Sequence, residues 1–257
     1  MEDYHILECN QVSTPTPMNN IRRYQKKEDA ICKLISDLGT PLGTGFFCQT
    51  TIKYKTIKFL FTCNHVLDKS KIKIGSTIQL KHKDTTEYIK ITKNRFVCTN
   101  EDLDYTCIEI FDNENFDKYF KIDPDINCDN PFEEYKDDSI VIMQCPGVED
   151  VLVTEGEIEE IKNNKNIIYS LSTDGGSSGS PIILSNRNLN IIGIHQAKFK
   201  DNNKGVNLKI VLEDLEKQYL EFLENNSIIK PIGTYKYKGK ILDKYSKEQI
   251  QKNYQRW

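Results

Sequence analysis

Residues 171–197 read LSTDGGSSGSPIILSNRNLNIIGIHQA. A run of small residues, Gly175, Gly176, Ser177, Ser178, Gly179 and Ser180, is closed by Pro181. Two β-like runs follow, 181–184 and 189–195, joined by the turn SNRN. Glycine costs conformational entropy wherever no special backbone angle is required, so packing alone gives a β protein little reason for such a loop. A nucleophile loop has a reason. Its serine must present a hydroxyl at a sharp bend while nearby amide N–H groups converge on a developing oxyanion, and glycine flanks permit both.

The same β texture extends through the chain. AICKLI, GTGFFCQ, TIKFLFTC, STIQL, TEYIKIT, YTCIEIF, SIVIMQC, VLVTEGEI, NIIYSLS, PIIL, NIIGIHQA and GVNLKIV are short, rich in Ile, Val, Thr, Tyr and Phe, and separated by turn signals. That pattern predicts antiparallel barrels or sandwiches, and the gaps are too short or too polar for the helices of a parallel α/β sheet. The acidic stretch 112–138, with Pro124 and Pro131, predicts a strandless linker between two β units of about six strands each. Beyond it VLEDLEKQYLEFLEN places Leu212, Leu215, Tyr219, Leu220 and Leu223 on one face, which predicts a closing helix. The partition expected is a leader at 1–28, an N-terminal β-barrel at 29–116, a linker at 117–137, a C-terminal barrel with its helix at 138–224, and a basic tail at 225–257. Residues 1–27 are polar and read as extended or loosely docked. Residues 228–257 hold eight Lys/Arg against two acids and read as a solvated extension whose partner is unassigned.

Composition narrows the function. The chain has 257 residues, formal net charge −3, 38% hydrophobic and 28% charged residues, enough for a substantial core. A near-neutral balance argues against nucleic acid as the main partner, because phosphate binding needs a concentrated basic face. No run approaches the roughly 18 apolar residues of a membrane-spanning helix. MEDYHILECNQ lacks the basic and apolar segments of a secretory signal, so a cytoplasmic protein is expected. The eight cysteines, at 9, 32, 48, 63, 98, 107, 128 and 145, form no CxxC pair. They read as reduced, mostly buried thiols rather than zinc ligands, and no metal or cofactor is implied.

A serine is a weak nucleophile until a base takes its proton. Of the four histidines, His5 lies in the leader and His82 in the charged run KHK. His65 ends the apolar strand FLFTCNHVL, and His195 lies inside NIIGIHQA. The base needs a carboxylate to fix its tautomer, and Asp104 stands immediately ahead of the strand YTCIEI, where a barrel rim would fall. Asp102 is a rival two residues earlier. The order His65, Asp104, Ser178 leaves separations of 39 and 74 residues.

In TCNHVL, DYTCIEI and STDGGSSGSP, with the GIH strand behind them, the chain resembles the chymotrypsin-like serine proteases, most closely their glutamyl endopeptidase (V8-like) branch. The resemblance spans about residues 29–224. It implies an all-β fold of two six-stranded antiparallel β-barrels with a C-terminal helix and the site in the crevice between them. It further implies Ser178 as nucleophile, His65 as general base and then acid, Asp104 as its orienting group, and the amides of Gly176 and Ser178 as the oxyanion hole. His195 and Thr173 match the pocket for the side chain before the cleaved bond. An imidazole with a hydroxyl suits Glu, with Gln or Asp as weaker or competing choices, and rejects Lys or Arg, whose buried charge would go unpaired. The substrate expected is a protein or peptide. Two other readings share these features: a latent or inactive protease-like binding module, and a viral-type processing protease cutting after Gln. The relatives resembled use a freed N-terminal amine at the substrate carboxylate. Here about 28 residues precede the first strand, so either the leader is cut near Arg22–Arg23 or Lys26–Lys27 or the amine plays no part.

Overall fold

The structure, a computed structural model, describes residues 17–82, 85–136, 138–147 and 151–226, together with the backbone of a short hairpin, Lys236–Tyr237 and Lys240–Ile241. Residues 1–16 of the leader and most of the basic tail lie outside the described residues. Strands β1 (Ile31–Ile35), β2 (Pro41–Ile52), β3 (Lys55–Thr62), β4 (Thr77–His82), β5 (Thr85–Lys90), β6 (Val97–Asn100) and β7 (Tyr105–Ile110) form one antiparallel sheet in the order β5-β4-β1-β2-β3-β7-β6. A short eighth strand, β8 (Phe120–Lys121), runs parallel beside β2. Strands β9 (Ser139–Gln144), β10 (Leu152–Lys162), β11 (Asn166–Ser170), β12 (Pro181–Leu184), β13 (Ile191–Phe199) and β14 (Asn202–Asn207) close into a six-stranded barrel. The expected all-β architecture is present. One unit is a closed six-stranded barrel, and the other is an eight-stranded sheet left open between β5 and β6.

Alternation of apolar residues decides which faces turn inward. Ile140 and Ile142 of β9, Ile182 of β12 and Ile167 of β11 share one face of the closed barrel by their pairing, none with measurable exposure. Fully burying such a side chain stabilises by about 1.5–3 kcal/mol relative to leaving it exposed. In the first sheet, Phe46 of β2 stacks on Phe61 of β3 with ring centroids 5.6 Å apart.

The closing helix α3 (Leu208–Asn225) starts three residues earlier than the periodic run suggests, because the Asn207 side chain caps it by accepting from Lys209 N–H at 2.9 Å. Its buried stripe is Leu208, Val211, Leu215, Tyr219 and Leu223, while Leu212 and Leu220 are half-buried. Tyr219 meets the rings of Phe96 and Phe59 edge-on at 4.9 and 6.5 Å. The helix that follows the second barrel therefore packs back on the first sheet.

Two readings are corrected. The 112–138 stretch is not strandless: it holds β8, a 3-10 turn at Pro124–Asn127 and the short helix α2 (Pro131–Tyr135). Arg187, in the β12–β13 turn, fastens it through Asp125 at 3.0 Å, Glu134 at 2.7 Å and Asp138 at 2.6 Å. The described part of the leader is not extended either. Helix α1 (Met18–Gln25) follows Pro17, and buried Tyr24 donates to Glu155 on β10 at 2.6 Å.

Candidate active site

The histidine turn hangs from the end of β3. The N–H groups of Val66 and Leu67 return to the Cys63 carbonyl at 3.2 and 3.1 Å, and Thr106 of β7 donates its hydroxyl to Leu67 O at 2.7 Å. Cys63, fully buried, anchors the turn to the second barrel by donating its thiol to the His195 carbonyl at 3.2 Å. His65 then projects with half its side chain exposed.

Asp104 ends the tight connection between β6 and β7 at φ +50°, a left-handed conformation that Asp tolerates better than most side chains. From that position its carboxylate accepts the His65 backbone N–H at 3.0 Å and faces ring Nδ1 with both oxygens, at 3.0 and 2.9 Å. Of the two candidate carboxylates, the structure brings Asp104 to His65. The Asp102 side chain is exposed, and its carbonyl accepts from Lys165 Nζ at 3.1 Å.

The serine loop lies against β2. Gly179 sits at φ +91°, and a Cβ there would fall 2.1 Å from the Thr44 carbonyl, so both backbone angle and space require glycine. Gly176, at φ +97°, opens the bend. Thr44, without measurable exposure, donates its hydroxyl to Gly176 O at 2.8 Å and accepts there from Cys145 N–H at 2.9 Å. Its own N–H reaches Ser178 O at 2.9 Å. Buried Ser177 turns inward, where its one hydroxyl hydrogen has Gln144 Oε1 and Asp174 O as acceptors within reach. The N–H groups of Ser177 and Gly179 are spent on Asp174 O and His195 O, at 3.2 and 2.9 Å. Among the described residues, no carbonyl accepts from the N–H groups of Gly176 or Ser178.

The loop and the histidine turn converge at Gly43. A Cβ built there would meet Val66 at 2.8 Å and Ser178 O at 2.9 Å. Ser178 Oγ itself donates to the Gln196 carbonyl at 2.9 Å, and the structure gives no hydrogen bond between Ser178 and His65. The Gln196 side chain, buried on β13, reaches the other way and donates to Leu103 O at 2.8 Å, with Asp104 O at 3.5 Å. One residue thus touches both Ser178 and the aspartate turn. Thr44 and Gln196 act through backbone groups and carry no motif, so the sequence reading missed both.

His195 is buried, and its Nδ1 lies 2.5 Å from the Tyr169 hydroxyl. Burial, reinforced by the charge of nearby His65, lowers its pKa to about 4, so the ring is neutral at neutral pH. Burial pushes the Tyr169 phenol well above its ordinary range, and it keeps its proton. Thr173 is buried as well, but its hydroxyl donates to Asn203 Oδ1 at 2.7 Å, and Asn203 in turn donates to Leu171 O at 2.7 Å. The structure gives no hydrogen bond between Thr173 and His195. Tyr169 and Asn203, the partners that occupy the two predicted pocket residues, were not anticipated.

A closed β-barrel joined to a second β unit, with a His–Asp pair and a glycine-flanked serine loop at their junction, defines the class of chymotrypsin-like folds. The family model of the trypsin-like peptidase domain matches residues 43–194, and the chain belongs to that family. Among solved structures, the serine endoprotease from Yersinia pestis is similar, with TM-score 0.58 and 16% identity over 87% of this chain and 73% of that one. An inactive mutant form of Rv3671c from M. tuberculosis H37Rv gives TM-score 0.53 and 14% identity over 86% of this chain and 98% of that one. At these identities the likeness concerns the fold. No curated protein sequence matches the chain.

Proposed function

We propose that the chain is a serine endopeptidase in which Ser178 attacks the scissile carbonyl, His65 takes and returns the proton, and Asp104 holds His65. The observation that carries this reading is the Asp104 carboxylate on His65 Nδ1 at 2.9 Å, beside a loop whose Gly176 and Ser178 N–H groups lack protein acceptors among the described residues. A carboxylate on Nδ1 fixes the proton there and leaves Nε2 as the basic atom. Before attack the Ser178 hydroxyl exchanges its bond to Gln196 O for one to His65 Nε2, a local side-chain rotation of the kind that substrate-free sites often require. The two amides then stabilise the oxyanion, each by roughly 3–4 kcal/mol.

Selectivity follows from His195. If the Tyr169 phenol donates to Nδ1, the neutral ring carries its own hydrogen on Nε2 and offers a donor without a charge. Such a donor suits the side-chain carbonyl of Gln at least as well as the carboxylate of Glu. We therefore place Gln first at neutral pH, with Glu next, and Lys rejected. A peptide panel varying the residue before the cut, with Ser178→Ala as control, tests both parts. Cleavage after Lys at the rate seen after Gln removes the pocket assignment, and cleavage unaffected by Ser178→Ala removes the nucleophile.

The bond from Ser178 to Gln196 O also favours a second reading, a latent peptidase that awaits a partner or substrate. A fluorophosphonate reagent separates the two, because a latent site leaves Ser178 unlabelled until it is engaged.

A further inference from the structure

Beneath the His65–Asp104 pair lies a third donor that the peptidase mechanism does not use. Cys63 Sγ, a ring nitrogen of His65 and a carboxylate oxygen of Asp104 all lie within 4.8 Å of one another, a convergence that occurs once among the described residues. We propose that these three side chains form an inhibitory site for a zinc-like divalent cation, which switches the peptidase off. The mechanism of inhibition rests on the proposed function above, whereas the binding itself does not.

The donor set selects the ion. A thiolate, an imidazole and a carboxylate suit Zn²⁺ rather than Mg²⁺ or Ca²⁺, which prefer all-oxygen shells. Zn–ligand bonds of about 2.0–2.3 Å in a tetrahedral shell put neighbouring donor atoms about 3.3–3.8 Å apart. The imidazole and carboxylate, now 2.9–3.0 Å apart, need to part slightly, and the thiol needs to turn from the His195 carbonyl at 3.2 Å. Cys63 is fully buried, but His65 is half exposed, so the ion reaches the site along the His65 side and keeps a water as its fourth ligand. The three donors come from two rigid supports, the end of β3 and the β6–β7 connection, which hold them together before any ion arrives.

Binding removes the general base by tautomer chemistry. Zn²⁺ takes the Nδ1 lone pair of a neutral imidazole, so the ring's single hydrogen moves to Nε2, the atom that must accept the Ser178 proton. The Cys63 thiol loses its proton to solvent on becoming a ligand, and the hydrogen on His65 stays on its ring. One proton is released per ion, and no oxidant or reductant takes part.

The test uses the full chain after treatment with a chelator, with Co²⁺ as a spectroscopic probe and Zn²⁺ as the inhibitor. The expected result is a thiolate-to-cobalt charge-transfer band in the wild type, lost in Cys63→Ser and in His65→Ala. His65 is exposed, so its replacement keeps the measurement usable even if the buried Cys63→Ser change impairs folding. Peptidase activity is expected to fall with micromolar Zn²⁺ and return with chelator, whereas Cys63→Ser should need roughly a hundredfold more zinc. Absence of the cobalt band in the folded wild type overturns the site. Equal zinc sensitivity of the wild type and Cys63→Ser overturns the role of Cys63. A chain that binds Co²⁺ through thiolate but hydrolyses no peptide keeps the metal site and refutes the peptidase reading instead.

Discussion

Thr44 shows how much of the site rests on single side chains that no motif announces. Its hydroxyl spans from Gly176 O to Cys145 N–H, joining the first sheet to the serine loop and to the segment after β9. Thr44→Val keeps the shape and removes the hydrogen bonds to both groups, each loss costing about 1–2 kcal/mol. The expected outcome is destabilisation by about 2–4 kcal/mol in urea unfolding, with a fall in kcat as the Gly176 amide drifts. Unchanged stability would show that water or a neighbour replaces the hydroxyl. At the proposed reacting atoms, Ser178→Ala or His65→Ala should lower kcat by about 10⁴–10⁶, measured on the peptide that the panel selects. Tyr169→Phe removes the hydroxyl 2.5 Å from His195 Nδ1 and frees the choice of tautomer, so the ratio of Gln to Glu cleavage should shrink in the same assay. The meeting of His65 with Asp104 and the glycine-flanked bend at Ser178 were legible because short motifs surround each of them. Thr44, Gln196, Tyr169 and Asn203 were not, because each works by reaching a backbone group or another side chain far away in the chain.

Among the elements, α3 does more than cover apolar surface. Asp214, on its polar side, accepts with one oxygen from Tyr105 at 2.7 Å, Asn100 at 3.0 Å and Gln218 at 2.7 Å. Asn100 and Tyr105 flank the connection that holds Asp104, so the helix braces the aspartate turn from behind. Asp214→Ala is expected to cost about 1–3 kcal/mol and to slow peptide cleavage, while Glu213→Ala, one residue away, leaves both near wild type. Equal loss in the two variants would reduce the effect to general weakening of the helix. This helix was legible because Leu215, Tyr219 and Leu223 recur every four residues along a stripe. Strand β8 was not, since two residues carry no periodicity, and its place beside β2 is decided by tertiary pairing. Helix α1 escaped for the same reason: MNNIRRYQ is polar, and its position is set by Tyr24 reaching Glu155 across 131 residues of chain.

For the molecule as a whole, the sequence carried twelve of the fourteen strands of the two units in their order and missed β6 and β8, while sheet closure was decided by pairings between distant strands. Edge pairing leaves the first sheet open between β5 and β6 and closes the second into a barrel. That closed barrel buries an ionisable ring, and global stability depends on pH as a result. In the folded chain His195 faces His65, the Tyr169 phenol and, through its carbonyl, the Cys63 thiol, and its pKa is lowered to about 4. Unfolded, it returns to about 6.5. Between these values the unfolded chain holds the extra proton, so stability falls as pH drops from 6.5 toward 4 and is unaffected by this group above 7. The loss between pH 7 and pH 4.5 should be roughly 2–3 kcal/mol. Glu109, whose pKa burial raises, acts in the opposite direction, so the raw curve mixes the two. His195→Gln keeps a neutral group beside Tyr169 and removes only the histidine contribution. The urea midpoint of the wild type should therefore drop more steeply on acidification than that of His195→Gln, and parallel curves would mean that His195 opens to solvent before it is protonated.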